Sequence, residues 1–151
     1  MSMQGPPQTK PESFYIATRG SPAYIPRVRA LAAALVANGL RWTHDWTLDI
    51  EAARAAGISD ADLSPGQRLA IARTDAAGVL DADVLIYLSP DKEHRSEGAA
   101  WEMGFFQGRI LGGRRGLPLV VGTPQCLFME LAVQVASDAE VIELLCGPPQ
   151  T

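Results

Sequence analysis

Apolar residues in this chain fall into two arrangements: short unbroken runs, and longer stretches in which they recur every three or four positions. The first predicts buried strands and the second amphipathic helices. Residues 14–17, 40–43, 84–88 and 117–121 are runs rich in Val, Leu, Ile, Tyr and Phe, and read as the first four strands. Helical patterns lie between them. Val28, Leu31, Ala32, Leu35 and Val36 form the stripe of a helix that starts near residues 24–26, tolerates Pro26 in its first turn and stops at Asn38-Gly39. Residues 48–62 are alanine-rich and broken by Gly57, which predicts one short helix and a loop. Ser64-Pro65 places a cap and a first-turn proline at the head of a helix running to Leu80 or Asp81. Another helix opens at Gly98 and ends near Gly112-Gly113. Residues 127–135 then hold a helical turn and a fifth strand, and residues 138–145 a last helix.

Strands that are apolar on both faces and alternate with helices build a parallel sheet covered on both sides. The expected fold is α/β, a five-stranded parallel sheet with helices on both faces, flavodoxin-like in layout. Residues 13–146 read as one domain between a proline-containing disordered tail at 1–12 and a short tail at 147–151. In such sheets ligands bind beyond the carboxyl ends of the strands, where the strand order reverses. Three polar loops fall at that edge, at residues 18–22, 44–47 and 89–97.

Composition narrows the choice of partner. Apolar residues make up 47% and charged residues 20%, as in ordinary globular domains. A net charge of -4 argues against a nucleic-acid polymer, yet one or two arginines suffice for a small phosphorylated ligand. Cys126 and Cys146 have neither metal-ligand spacing nor a disulfide framework. No apolar run is long enough to cross a membrane or to form a signal-peptide core. The expectation is a cytoplasmic protein with no bound metal and no membrane contact.

The segment Arg95-Ser96-Glu97-Gly98-Ala99-Ala100-Trp101-Glu102-Met103-Gly104 asks for a chemical explanation. Glu102 shares a helical face with Gly98, Phe105 and Phe106. The nearby helix start favours its ionised form, and burial among aromatics opposes it. A carboxylate so placed suits a nucleophile; a helix-stabilising acid fits the same position. Asp75 projects between Ile71 and Val79, where an acid must be paired, protonated or catalytic. Two carboxylates in one cleft is the arrangement of glycosidic chemistry, while pairing with Arg68 or Arg73 is the simpler account. Tyr15, on the first strand, either holds the rotamer of Glu102 or fills the core. Arg19, Gly20, Ser21 and Ser96 combine guanidinium, hydroxyl and backbone N–H groups in the manner of an anion cradle. No Walker-type loop is present. Trp46 and Trp101 offer faces to a flat base or to the core, and His44, Asp45 and Trp46 mark the base end of the pocket. Neither His44 nor His94 stands at a spacing from Ser or Cys that suggests a hydrolase triad.

Three marks, in this order, resemble the nucleoside 2-deoxyribosyltransferase family, including its relatives that hydrolyse nucleoside 5′-monophosphates. They are Phe14-Tyr15-Ile16-Ala17 running into Thr18-Arg19-Gly20, Asp75 followed eight residues on by Asp83-Val84-Leu85-Ile86, and Ser96-x-Gly98-x-x-x-Glu102-Met103-Gly104. The resemblance spans residues 14–145. It implies that Glu102 attacks the anomeric carbon of a (deoxy)ribosyl group, that Asp75 protonates the departing base and that Tyr15 orients Glu102. It further implies that Ser96 and the Arg19-Gly20 loop, with Ser21 and Gly98 beside them, bind the sugar or its 5′-phosphate, with no cofactor. Arg95 and Glu97 beside Ser96, and a carboxy terminus without a polar motif, depart from the transferase members and favour hydrolysis over base transfer. A homodimer is implied as well; Leu127-Phe128-Met129 and Trp101, Phe105 and Phe106 supply apolar surface for it, although core packing explains them equally. Two other readings stay open, a non-catalytic nucleotide-sensing module and an enzyme that cleaves the glycosidic bond of NAD.

Overall fold

The computed structural model describes residues 9–148. Strands β1 (Ser13–Ala17), β2 (Arg41–Trp42), β3 (Val84–Leu88), β4 (Leu117–Val121) and β5 (Val133–Val135) form one sheet in the order β2-β1-β3-β4-β5, with every neighbouring pair parallel. Five helices connect and cover it: α1 (Ile25–Ala37), α2 (Thr47–Ala55), α3 (Pro65–Asp81), α4 (Glu97–Leu111) and α5 (Asp138–Cys146). This is the flavodoxin-like α/β layout expected. β1 and β3 are buried along their whole length, and pair in register with Tyr15 opposite Leu85. The chain passes from β1 to β2 on one side and returns to β3 on the other, so the order reverses between the carboxyl ends of β1 and β3. α1 packs against α5, and α3 packs against α4 over β1.

Local sequence accounts for the placement of α3 and α4. Ser64 Oγ accepts from the Gln67 N–H at 3.2 Å and Gln67 Oε1 accepts from the Ser64 N–H at 2.8 Å, a reciprocal cap with Pro65 in the first turn. At the far end Arg109 ties the two helices together. Its guanidinium lies 4.3 Å from the Phe106 ring centroid and donates to the carbonyls of Leu80 and Ala82, which end α3. At the carboxyl edge, the Thr18 hydroxyl donates to the Leu88 carbonyl at 2.7 Å, crossing the point of reversal. The Tyr24 hydroxyl accepts from the Asp91 N–H at 3.1 Å, which latches the loop after β1 to the loop after β3.

Several boundaries differ from expectation. α4 begins at Glu97 because Ser96 Oγ accepts from the Ala99 N–H at 3.2 Å and caps it, so the helix does not open at Gly98. α2 starts at Thr47, and residues 56–64 contain only a single 3-10 turn, Asp60–Asp62. Residues 1–8 and 149–151 of the expected tails lie outside the described residues. Glu12, also assigned to the tail, is tied to the sheet: its N–H donates to Asp83 Oδ2 at 2.8 Å and its carbonyl accepts from the Arg41 N–H at 2.9 Å. Among the described residues no helix is long and apolar enough to cross a membrane, and both cysteines are free.

Candidate active site

Glu102 sits in the second turn of α4, at the border of the face formed by Ala99, Met103, Phe106 and Gln107. Gly98 is exposed, and Phe105, partly buried against the core, stacks on Trp101 at 5.0 Å. The glutamate therefore meets not an aromatic cluster on its own helix but Tyr15, on β1. The Tyr15 hydroxyl is aimed at the Glu102 carboxyl group, and Tyr15 Oη and Glu102 Oε2 are both sealed from solvent without a well-formed hydrogen bond. Burial pushes Glu102 up to about 8, with the hydroxyl of Tyr15 opposing and the charge of Asp75 adding to the rise. The influence of a helix terminus fades within its first turn, which is why burial prevails here over the expected stabilisation of the carboxylate. Tyr15 is held protonated, chiefly by burial and then by the charges of Glu102 and Asp75.

Asp75 approaches the same pair from α3, close enough for its charge to raise both. Neither Arg68 nor Arg73 pairs with it; its partner is His44, whose Nε2 lies 3.1 Å from Asp75 Oδ1. Burial raises Asp75, with the neighbouring charge of His44 opposing and that of Asp49 adding. His44 follows Thr43, whose hydroxyl donates to the carbonyls of Gly78, at 2.8 Å, and Phe14, at 3.2 Å. Gly78 stands one turn after Asp75 and makes this meeting possible. A Cβ at that position would lie 2.7 Å from His44 Cβ and 3.1 Å from the Tyr15 ring. The glycine therefore sets how closely His44 and Tyr15 approach the helix that carries Asp75. Asp49 Oδ2 faces His44 Nε2 at 3.7 Å from the solvent side. The ligand atoms of His44, Asp49 and Asp75 lie within 4.8 Å of one another, and the 3.1 Å between His44 Nε2 and Asp75 Oδ1 is within hydrogen-bond reach although the two are not aligned for one.

The other expected binding residues are distributed unevenly. Trp46 is a core residue, 8% exposed, with its indole N–H donating to the Ile16 carbonyl at 2.7 Å, so it offers no free face to a base. Asp45 is committed to starting α2, its Oδ1 accepting from the Thr47 N–H at 3.0 Å and from the Thr47 hydroxyl. Ser21 Oγ accepts from the Ala23 N–H at 3.3 Å. Gly20 is packed against Ile50, which a Cβ would approach to 2.7 Å, whereas a Cβ on Gly98 would meet nothing within 4 Å. Arg19 is half-buried and forms no ion pair among the described residues. Ser96, spent on the helix cap as an acceptor, keeps its hydroxyl proton for donation.

Sequence reasoning missed His44 as the partner of Asp75; it placed the loop after β3 at the ligand edge but missed the residues after β4 that meet it there. A cavity of about 390 Å³ opens there, lined by Ser89, Lys92, Arg95, Gly122, Thr123 and Gln125 among others; Glu102, Asp75 and Tyr15 do not line it. Gln125 organises its floor by accepting from the Tyr87 hydroxyl at 2.7 Å and donating to the Pro90 carbonyl at 2.7 Å. Burial pushes Tyr87 up to about 12, which keeps it a donor. The signal for His44 was a glycine in the interior of α3, one turn from the buried acid. For the cavity it was the pair Lys92 and Arg95 in a loop that follows a buried strand.

No family model matches this sequence, and no curated protein does. Among solved structures, the chain is similar to the Clostridium botulinum CMP N-glycosidase BcmB. The TM-score is 0.51 at 13% identity, covering 88% of this chain and 96% of that one. At that identity the likeness is one of fold.

Proposed function

We propose that this chain cleaves the N-glycosidic bond of a nucleoside or nucleoside 5′-monophosphate through a covalent glycosyl–Glu102 intermediate, with water as the final acceptor, and that it belongs with the nucleoside 2-deoxyribosyltransferase-like enzymes. The observation that carries this reading is the meeting of Glu102, Tyr15 and Asp75, from α4, β1 and α3, in one largely buried cleft. Two carboxyl groups and a phenol form a nucleophile, an acid and an orienting donor. The fold likeness to a CMP N-glycosidase supports a nucleotide as the substrate class.

In this mechanism one proton is shared between the two carboxyl groups, and the productive arrangement places it on Asp75. Ionised Glu102, held by the Tyr15 hydroxyl, attacks the anomeric carbon while the base leaves with the proton of Asp75. Water then attacks the same carbon from the opposite side, gives its proton back to Asp75 and releases Glu102. Two displacements retain the anomeric configuration. Arg19, with Lys92 and Arg95 at the adjoining edge, supplies positive charge for a 5′-phosphate. The protein works as a homodimer in the cytoplasm, where its two thiols stay reduced.

The test is chromatography of a panel of nucleosides and their 5′-monophosphates, with and without an acceptor base, beside Glu102→Ala. Free base released by wild type and not by the variant is expected, as is retention when methanol serves as acceptor. A swapped base would make the chain a transferase, and an inverted methanolysis product would exclude the covalent intermediate. Binding without release from any substrate would leave a sensing module, and nicotinamide released from NAD alone would move the activity to that substrate.

A further inference from the structure

We propose that His44 is a positioning residue for Asp75: its Nε2–H occupies Asp75 Oδ1, so that the carboxyl proton is carried on Oδ2 and delivered from there to the departing base. The inference rests on the reading of Asp75 as the acid of a glycosidic cleavage.

The pairing is built into the fold rather than left to a surface rotamer. His44 Nε2 and Asp75 Oδ1 lie 3.1 Å apart and both are sealed from solvent with no well-formed hydrogen bond to any group. Each is therefore the other's nearest polar partner, and a small rotation of the imidazole would align them. Thr43 clamps the loop that carries His44 to α3 and β1 at once, through the carbonyls of Gly78 and Phe14. Gly78 lets the His44 Cβ rest directly on the helix, where any side chain would force it away. The charged and titratable groups around the pair are Asp49 on α2, 3.7 Å from Nε2, with Tyr15 on β1 and Glu102 on α4 in the cleft beyond Asp75.

An N–H donor aimed at one carboxyl oxygen makes that oxygen the acceptor, so the acid carries its proton on the other. The opposite arrangement, with Asp75 donating to a bare Nε2, would bind the proton away from the substrate. As the bond from C1′ to the base nitrogen breaks, its electron pair stays with the base, which takes the proton from Asp75 Oδ2, while a Glu102 oxygen bonds to C1′. In the second step a water oxygen bonds to C1′, the Glu102 carboxylate leaves, and the water's proton returns to Oδ2. His44 keeps its own proton throughout, stabilising the Asp75 carboxylate between the two steps.

The decisive comparison is kcat and KM of wild type, His44→Ala and His44→Gln, whose amide N–H reaches to about the place of Nε2. Two substrates are used, a nucleoside 5′-monophosphate and a 4-nitrophenyl glycoside whose leaving group needs no proton. With the nucleotide, His44→Ala is expected to lower kcat by about 10–100-fold while KM changes by less than about threefold, and His44→Gln to recover most of the loss. With the nitrophenyl glycoside the pre-steady-state burst of nitrophenolate, which reports the first step alone, should match wild type in both variants. An equal loss on both substrates would make His44 merely structural and overturn the proposal, as would loss of activity on treatment with EDTA, which would make His44, Asp49 and Asp75 a cation site. The pairing is also read without substrate, from long-range 1H–15N spectra that report which imidazole nitrogen carries the proton. An Nε2–H tautomer that changes in Asp75→Ala, which removes the acceptor, is expected, and a tautomer indifferent to that substitution overturns the pairing. Absence of base release from wild type with the coupling intact would instead overturn the glycosidase reading and the delivery step that depends on it.

Discussion

The hydroxyl of Tyr15, on β1, is aimed at the carboxyl group of Glu102, on α4, and Tyr15 Oη and Glu102 Oε2 are both buried without a well-formed hydrogen bond. A phenol held protonated beside an acid pushed up to about 8 is a donor waiting for that acid to ionise. Two buried polar atoms left without such a bond cost stability that a purely structural site would have removed. The pair therefore reads as a device whose hydrogen bond tightens when the carboxylate is formed and used.

The first consequence is a pH profile. With an unphosphorylated nucleoside, whose own ionisation does not intrude, kcat/KM should be bell-shaped, because the active free enzyme holds one proton between Glu102 and Asp75. It falls at low pH, where both are protonated, and again above about 8, where the pair loses its last proton. Tyr15→Phe removes the donor that favours the Glu102 carboxylate, so it should move both limbs to higher pH as well as lower the maximum. Initial rates between pH 5 and 10 provide the check; a rate that stays level above about 8 would exclude a proton shared by the two carboxyl groups.

Stability should follow the same group in the opposite sense. Glu102 is raised from 4.5 to about 8 on folding, so between those values the folded state holds a proton the unfolded chain has lost. Its contribution is complete below pH 4.5 and is lost as pH rises through about 8. Glu102→Gln, which never charges, should melt close to wild type at pH 4. Its advantage should grow across the interval to a few kcal/mol and stay constant above it. Thermal melts at pH 4, 6, 8 and 9 test this, and an advantage that shrinks as pH rises would contradict the burial of the acid.

Much of this fold was legible because its signals are local. β3 and β4 are unbroken apolar runs with polar flanks and were placed to the residue, and Ser64-Pro65 announced α3 by its cap. Asp75 and Glu102 stood out as acids at otherwise apolar positions. What was not legible depends on elements meeting in space. The cap at Ser96 starts α4 one residue earlier than the glycine suggested; Glu102 lies in the second turn from either start, and burial from the neighbouring strand, which the sequence does not show, sets its ionisation. Trp46 looked free to stack until its N–H was found on the Ile16 carbonyl. His44 could not be paired with Asp75 without knowing that the end of β2 lies against α3, a contact marked in the sequence only by Gly78.

Gly78 gives a prediction that separates helix propensity from packing. Alanine in a helix interior ordinarily stabilises by about 1 kcal/mol over glycine. Here the added Cβ would come within 2.7 Å of His44 Cβ and 3.1 Å of the Tyr15 ring, and all of these belong to packed elements. Gly78→Ala should therefore destabilise by about 1–3 kcal/mol, and lower kcat by more than the melting temperature alone would suggest. Denaturant titration with steady-state kinetics reads both; a more stable variant with unchanged kcat would show that His44 and Tyr15 yield freely.

The last prediction concerns the face that α4 shares with the segment after β4. Met129 and Phe106 are buried and explain themselves as core, but Trp101, Leu127 and Phe128 are 58%, 80% and 70% exposed. Gln107 donates to the Phe128 carbonyl at 3.1 Å, so the segment that carries Leu127 and Phe128 lies against α4, the helix that carries Trp101. Exposed large apolar residues scattered singly are ordinary, whereas a contiguous set is costly to hydrate and favours association. A copy of the same chain offers the same set, and two such faces packed about a twofold axis would bury it on both sides. Light scattering after size exclusion should give a dimer at micromolar concentration. Trp101→Glu and Phe128→Glu should each yield a monomer whose helical circular dichroism is unchanged, because neither side chain is part of the core. A wild-type monomer across the micromolar range would contradict this pairing and leave the patch to another partner.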